Sequence, residues 1–290
     1  NAEGAAIRKI AKESLLAEAR GEGRTLGIDS NGIMFQRVFH GTPHRDIEKS
    51  GFKLNKIGTG EGAQAFGFGL YFAGNREIAE HYRKILAADG FVLSDGSVFN
   101  PNTLEHLNVR AMVRRGDLDG AIAKAKEIAA TDSQVSGNAK RDLSVLEGIK
   151  QSGGLKDNQG QLYHAEIPED SDLLDYDKPM SQQPEKVQDA LDSLMREKFA
   201  PQQVQHFEEN WTSLSGKDFY HELTLRDLGS ENGEKAASEA LNAAGIPGLR
   251  YLDGTSRTKG EGSANYVIWD ENLLTPEKAK ITPYYSKRDK

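Results

Sequence analysis

Two short apolar runs, each broken by glycine, constrain the fold of this chain most. They are VFHGTPH at residues 38–44 and GLYFA at residues 69–73. Apolar runs of this length that stop at glycine are typical of β-strands, and glycine lets a backbone approach another group closely. The next stretch, NREIAEHYRK at residues 75–84, starts with an amide and an acidic first turn, which predicts a helix capped by Asn75. The sequence therefore predicts a strand, a turn and a helix in direct succession.

This succession spaces one imidazole and two phenols in a particular way. His40 ends the first run, Tyr71 lies in the second, and Tyr82 comes eleven residues later on the predicted helix. A strand, a short turn and about two helical turns can bring two phenol rings to opposite sides of one slot. Such a slot would sandwich a flat aromatic ring.

The pattern resembles the His-Tyr-Glu clade of ADP-ribosyltransferases, which includes diphtheria toxin and the poly(ADP-ribose) polymerases. As a whole, the chain looks closest to the ADP-ribosyltransferase domains of phage polyvalent proteins. The resemblance implies that NAD is bound as the ADP-ribose donor, with a histidine segment on its ribose and carboxamide and two tyrosines stacked on its nicotinamide. The residues that it assigns to NAD binding are His40, Gly41, Thr42, Tyr71, Phe72, Ala73 and Tyr82.

A third motif, NYVIWD at residues 265–270, matches a family strand that normally begins with the catalytic glutamate. In this chain the glutamate position holds Asn265, which can hydrogen-bond a ribose hydroxyl but cannot neutralise positive charge. A carboxylate could instead come from Glu61, in the glycine-rich run at residues 58–62, although simple solvation of a loop residue is an equal alternative. The run could also cradle a phosphate, but no helix opens after it as a dinucleotide-binding fold requires.

The resemblance implies cleavage of the bond between nicotinamide and ribose, and transfer of one ADP-ribose to a macromolecule, expected to be a protein. The residues expected to be catalytic are His40, Tyr71, Asn265 and Glu61. Polymer formation is not expected, since in the polymerases it depends on the glutamate that is missing here. We therefore expect a mono-ADP-ribosyltransferase serving as a phage-borne or bacterial toxin or effector. The alternatives are an NAD glycohydrolase, in which water takes the ribose, and a catalytically inactive NAD- or protein-binding module of a phage particle.

Composition limits the partners. The 290 residues are 37% hydrophobic with a mean hydropathy of −0.63, and no apolar run approaches the ~20 residues of a membrane span. A net charge of −7 argues against a nucleic-acid-binding surface, and the lack of cysteine excludes thiolate metal ligands. We expect a soluble protein with no metal and no membrane partner. Because the chain starts at Asn1 without methionine, we also expect a piece of a larger protein, acting in the cytoplasm of a host or target cell after delivery.

The fold that the resemblance implies is α+β, with split antiparallel β-sheets around an NAD cleft. We expect a helical arm over residues 1–30 and an ADP-ribosyltransferase domain over residues 31–290. Helical insertions are expected at about residues 103–152 and 181–245, where strand alternation is missing. In the second insertion, Val187, Leu191, Leu194 and Met195 form the stripe of a buried helix face, which should pack against the sheets.

Overall fold

The computed structural model describes residues 25–28, 34–57, 65–88, 90–131, 134–226, 233–257 and 262–284. The chain divides into two compact units. The larger unit comprises Asn1–His40, Ile47–Glu80 and Leu162–Lys290, and the smaller comprises Gly41–Asp46 and His81–Gln161. Most of the expected N-terminal arm, the glycine-rich run and Glu61 lie outside the described residues. Within the range of the arm, the structure describes only Thr25–Ile28, which is a β-strand.

Eleven β-strands lie in the described residues. They are β1 (Thr25–Ile28), β2 (Met34–Thr42), β3 (Leu70–Ala73), β4 (Phe91–Val92), β5 (Val98–Phe99), β6 (Lys156–Asp157), β7 (Gln161–Ile167), β8 (Leu174–Asp175), β9 (Gly248–Leu252), β10 (Ala264–Ile268) and β11 (Thr282–Pro283).

Ten α-helices lie in the same residues. They are α1 (Ile47–Ser50), α2 (Arg76–Ala88), α3 (Leu107–Arg114), α4 (Leu118–Ala129), α5 (Ser136–Gln151), α6 (Glu185–Lys198), α7 (Pro201–Glu209), α8 (Gly216–Arg226), α9 (Gly233–Ala243) and α10 (Gly254–Arg257). Both stretches expected to be helical insertions contain helices. No helix in the described residues is long and apolar enough to cross a membrane.

The large sheet has eight strands in the order β11-β7-β2-β3-β10-β9-β8, with β1 paired to β2. The α+β class is confirmed. The expected pair of antiparallel sheets differs from what is observed, because β8 and β9 run parallel and all eight strands belong to one sheet. The halves on either side of the β2–β3 contact hold four strands each. In the described residues the ladder between β2 and β3 consists of one pair, Phe39 with Ala73.

The core of the larger unit forms where helices α6 to α9 cover one face of β9 and β10. The predicted stripe of α6 is buried there, in one cluster with Leu249 and Val267 of the sheet. Full burial of each of these side chains contributes about 1.5–3 kcal/mol to the free energy of unfolding. The expectation that this helix packs on the sheet is confirmed.

The smaller unit combines helices α3, α4 and α5 with the three-stranded antiparallel sheet β5-β4-β6. Val109, Ala125 and Leu146 lie in its core. The buried carboxylate of Asp142 accepts the backbone N–H groups of Glu105 and His106, at 2.9 and 2.8 Å, beside the start of α3. These bonds satisfy backbone N–H groups at the start of the helix, where no helical carbonyl is available to accept them.

Candidate functional site

One residue from each of the three sequence motifs lies in the larger unit, in a row that crosses four strands. Phe39 of β2 lies opposite Ala73 of β3, and Ala73 lies opposite Asn265 of β10. Asn265 in turn lies opposite Tyr251 of β9. Direct partners in antiparallel strands have their Cβ atoms about 4.5–5.5 Å apart on one face of a sheet. The row therefore brings Asn265 next to the end of the GLYFA strand.

His40 follows Phe39 and bonds to the neighbouring strand through its side chain. Its Nδ1 lies 2.8 Å from the backbone oxygen of Tyr71. Because a carbonyl can only accept, Nδ1 carries the hydrogen, and in the neutral ring Nε2 then bears the lone pair. The imidazole packs edge-on against Phe52 at 4.9 Å and tilted against Phe72 at 5.5 Å. These contacts fix both the orientation and the tautomer of the histidine.

The Tyr71 phenol is held by the segment that precedes its strand. Its hydroxyl donates to the backbone oxygen of Gly67 at 2.7 Å and accepts the backbone N–H of Phe66 at 3.1 Å. Burial raises the pKa of the Tyr71 phenol far above its ordinary value, so the group is neutral at physiological pH. The hydroxyl therefore has a structural task, and the half-buried ring is the part that can meet a ligand.

Asn265 carries the least satisfied polar group of the row. It is 8% exposed, and its Oδ1 has no hydrogen-bond partner in the described part of the chain. An unpaired buried polar atom costs about 1–3 kcal/mol. Its neighbours Ala73 and Tyr251 belong to separate apolar clusters, so the buried amide lies between two parts of the core.

The loop before Asn265 is fastened at both ends. The buried carboxylate of Asp253 accepts the Ser256 N–H at 2.8 Å and the Ser263 hydroxyl at 2.6 Å. The Ser256 hydroxyl accepts the Ser263 N–H at 3.0 Å. These bonds fix the point from which β10 starts, and with it the backbone of Asn265.

An aromatic stack stands beside the row on its β9 side. The Phe66 ring lies on Tyr251, with centroids 3.8 Å apart and planes 14° from parallel. The guanidinium of Arg257 covers the Phe66 ring at 5.0 Å and donates to Asp177 at 3.1 Å. No functional role was predicted from the sequence for these residues. A signal for Phe66 exists in the alternating FGFG of residues 66–69, where glycines allow the backbone to approach other groups closely.

The remaining predicted residues divide between the two units. The side chains of Phe72 and Ala73 are buried in the larger unit, where the Phe72 ring packs against the rings of both His40 and Phe52. Gly41, Thr42 and Tyr82 belong to the smaller unit. Thr42 is buried and its hydroxyl accepts the His44 N–H at 3.2 Å, whereas Tyr82 is 51% exposed on α2. Their roles in NAD binding stay predictions from the sequence.

Comparisons with protein-family models, curated proteins and solved structures find no match for this chain. Among the described residues, no group of three or more His, Asp or Glu side chains could hold a metal ion.

Proposed function

We propose that this chain binds NAD and acts as a mono-ADP-ribosyltransferase. The observation that carries the proposal is the nine-tenths buried amide of Asn265, whose Oδ1 lacks a partner among the described residues. A native structure rarely keeps such a group unless a ligand or water completes it. Asn265 lies opposite Ala73, and Ala73 lies opposite Phe39, the residue before the histidine that bonds the Tyr71 carbonyl.

Each residue of this junction has a task in the proposed reaction. The Tyr71 ring stacks on the positively charged nicotinamide, a contact worth about 0.5–2 kcal/mol. His40, oriented by the Tyr71 carbonyl, hydrogen-bonds a ribose hydroxyl, and the Asn265 amide bonds another. As the bond from ribose C1′ to the pyridinium nitrogen breaks, its electron pair goes to nicotinamide. The acceptor atom then bonds C1′ and releases its proton.

The asparagine at position 265, where the resembled family has a glutamate, determines the expected rate of the proposed reaction. An amide holds a hydroxyl but does not stabilise the positive charge that develops on the ribose. Loss of one preorganised electrostatic contact costs about 3–4 kcal/mol of barrier, which corresponds to roughly 10²–10³ in rate. The reaction is therefore slow unless a carboxylate such as Glu61 compensates. The same asparagine favours a second candidate function, a module that binds NAD without turning it over.

One experiment separates these functions. The purified chain is incubated with NAD, alone and with bacterial and eukaryotic lysates, and released nicotinamide is measured. Lysate proteins are then searched by mass spectrometry for a mass increase of one ADP-ribose. A transferase gives modified proteins, a glycohydrolase gives nicotinamide without them, and a binding module gives neither. His40→Ala should lose both signals, while Ile85→Ala, a truncation of an exposed side chain, should keep them.

A further inference from the structure

The backbone that holds the Tyr71 phenol is itself held by the second helical stretch. We call residues 66–69 the wall segment. The Tyr71 hydroxyl bonds the backbone of Phe66 and Gly67, the first two residues of the wall segment. The Ser238 hydroxyl of α9 donates to the backbone oxygen of Phe68 at 2.9 Å. Ser238 is 1% exposed, so this bond forms away from water. The wall segment is therefore fastened from the strand on one side and from α9 on the other.

A second phenol completes the fastening. The Tyr220 hydroxyl of α8 lies 2.9 Å from the Ser238 hydroxyl and donates to the backbone oxygen of Glu234 at 3.0 Å. Since Ser238 gives its one hydrogen to Phe68, the single hydrogen of Tyr220 is shared between two acceptors, the Ser238 hydroxyl and the Glu234 carbonyl. Burial raises the pKa of Tyr220 to about 12, so the phenol stays a donor across the physiological range.

The wall segment has the glycines that this approach requires. Gly67 has a φ angle of +95°, a backbone conformation that residues with a side chain rarely adopt. A Cβ at this position would overlap the Tyr220 hydroxyl. At Gly69 a Cβ would overlap Val267 of β10. Both glycines thus let the wall segment lie directly between α8 and the sheet.

We propose that Tyr220 and Ser238 are positioning residues of the NAD site. They hold the wall segment, and through it the Tyr71 phenol and the Phe66 ring, in the geometry that the ligand meets. The helices at residues 185–243 are then part of the donor site as well as a cover for the sheet. The inference rests on the proposed function, because it assigns these residues to the NAD site.

The test combines two measurements on the whole chain. Amide hydrogen exchange over residues 66–70 measures how firmly the wall segment is held. Calorimetry measures the affinity for NAD. The variants are Ser238→Ala and Tyr220→Phe. The matched control is Tyr163→Phe, which removes a buried phenol hydroxyl that accepts the Ile47 N–H at 3.3 Å in another cluster of the larger unit.

Ser238→Ala should speed exchange in the wall segment at least about tenfold, because it leaves the Phe68 carbonyl without a donor. Tyr220→Phe should speed exchange there as well, since the phenol hydroxyl bonds both Ser238 and the Phe68 backbone. NAD affinity should fall in both variants, and Tyr163→Phe should change neither quantity. Unchanged exchange in Ser238→Ala would overturn the inference, and so would faster exchange with undiminished NAD affinity. If the native chain binds no NAD, the proposed function fails, and the exchange data decide separately whether the two residues fasten the segment.

Discussion

At the scale of single residues, Asn265 is a position where the described structure carries a cost in stability. Asparagine is disfavoured in strands, and this one lies within β10 with a buried oxygen that has no partner in the described residues. Leucine or valine would suit the position better if folding were the only demand. Residues that weaken a fold in this way are typical of ligand sites.

Replacing the amide by an apolar group should therefore stabilise the fold. We expect Asn265→Leu to raise the free energy of unfolding by about 1–3 kcal/mol, because the desolvated amide is removed at similar side-chain volume. Urea unfolding measures this, with Asn272→Leu, at a position outside the sheet, as the control. The same variant should lose NAD binding. A less stable variant that still binds NAD would contradict the role given to the amide.

Residue-level prediction from the sequence succeeded where the interaction is local. Asn75 accepts the Glu77 N–H at 2.8 Å at the start of α2, as the cap signal indicated. The bond from His40 to the Tyr71 carbonyl joins residues 31 positions apart. This bond forms only because the ladder between β2 and β3 stops at a particular residue. A local sequence pattern cannot predict that position.

At the scale of elements, helices were easier to predict than the sheet. The 3.6-residue stripe of α6 is a property of one segment, so its buried face could be predicted before any partner was known. The order of the strands depends on pairings between distant segments. The parallel contact of β8 with β9 rests on two residue pairs, and a two-residue strand has too few side chains to show alternation.

The exposed face of α2 offers a test of the predicted stacking role of Tyr82. Tyr82 and Ile85 are 51% and 46% exposed on the same helix, so truncating either should disturb folding little. If Tyr82 stacks on nicotinamide, Tyr82→Ala should weaken NAD binding about tenfold, equal to ~1.4 kcal/mol. Ile85→Ala should leave the affinity measured by calorimetry unchanged. Equal effects of the two variants would remove Tyr82 from the site.

The contact between β7 and β11 should make stability depend on pH. His164 stacks on Tyr284 at 4.8 Å and meets Phe39 edge-on at 4.9 Å. Burial, with a smaller contribution from the charge of Arg37, lowers the pKa of His164 to about 4. The native state thus binds the proton less readily than the unfolded chain, whose ordinary pKa is near 6.5. The contribution of neutral His164 to the free energy of unfolding is therefore complete above pH 6.5 and is lost as the pH falls towards 4.

We expect this loss to be about 1–2 kcal/mol after allowance for the partial exposure of the ring. The measurement is urea unfolding at pH 7 and pH 5, comparing the native chain with His164→Phe, which keeps a stacked ring and cannot titrate. The variant should lose less stability on acidification. Equal losses in both proteins would show that His164 does not titrate as described.

At the scale of the whole molecule, the stretch expected to be the first helical insertion lies within the smaller unit of the structure, which extends beyond it at both ends. The insertion was expected to begin near residue 103, whereas the smaller unit already includes His81 and continues to Gln161. Its strands β4, β5 and β6 have two residues each, too short for a period of two to be visible. Only the helical middle of this unit had a pattern that could be recognised.

A calorimetric titration of NAD into the purified chain, without added metal, decides whether NAD binds at the proposed site. We expect saturable binding to the native protein and at least about tenfold weaker binding to His40→Ala, a loss of ~1.4 kcal/mol or more. Lys124→Ala, which truncates a side chain on a helix of the smaller unit, should bind NAD as the native protein does. Absence of binding to the native chain, or equal affinity in His40→Ala, would contradict the claim that the junction of β2, β3 and β10 is an NAD site.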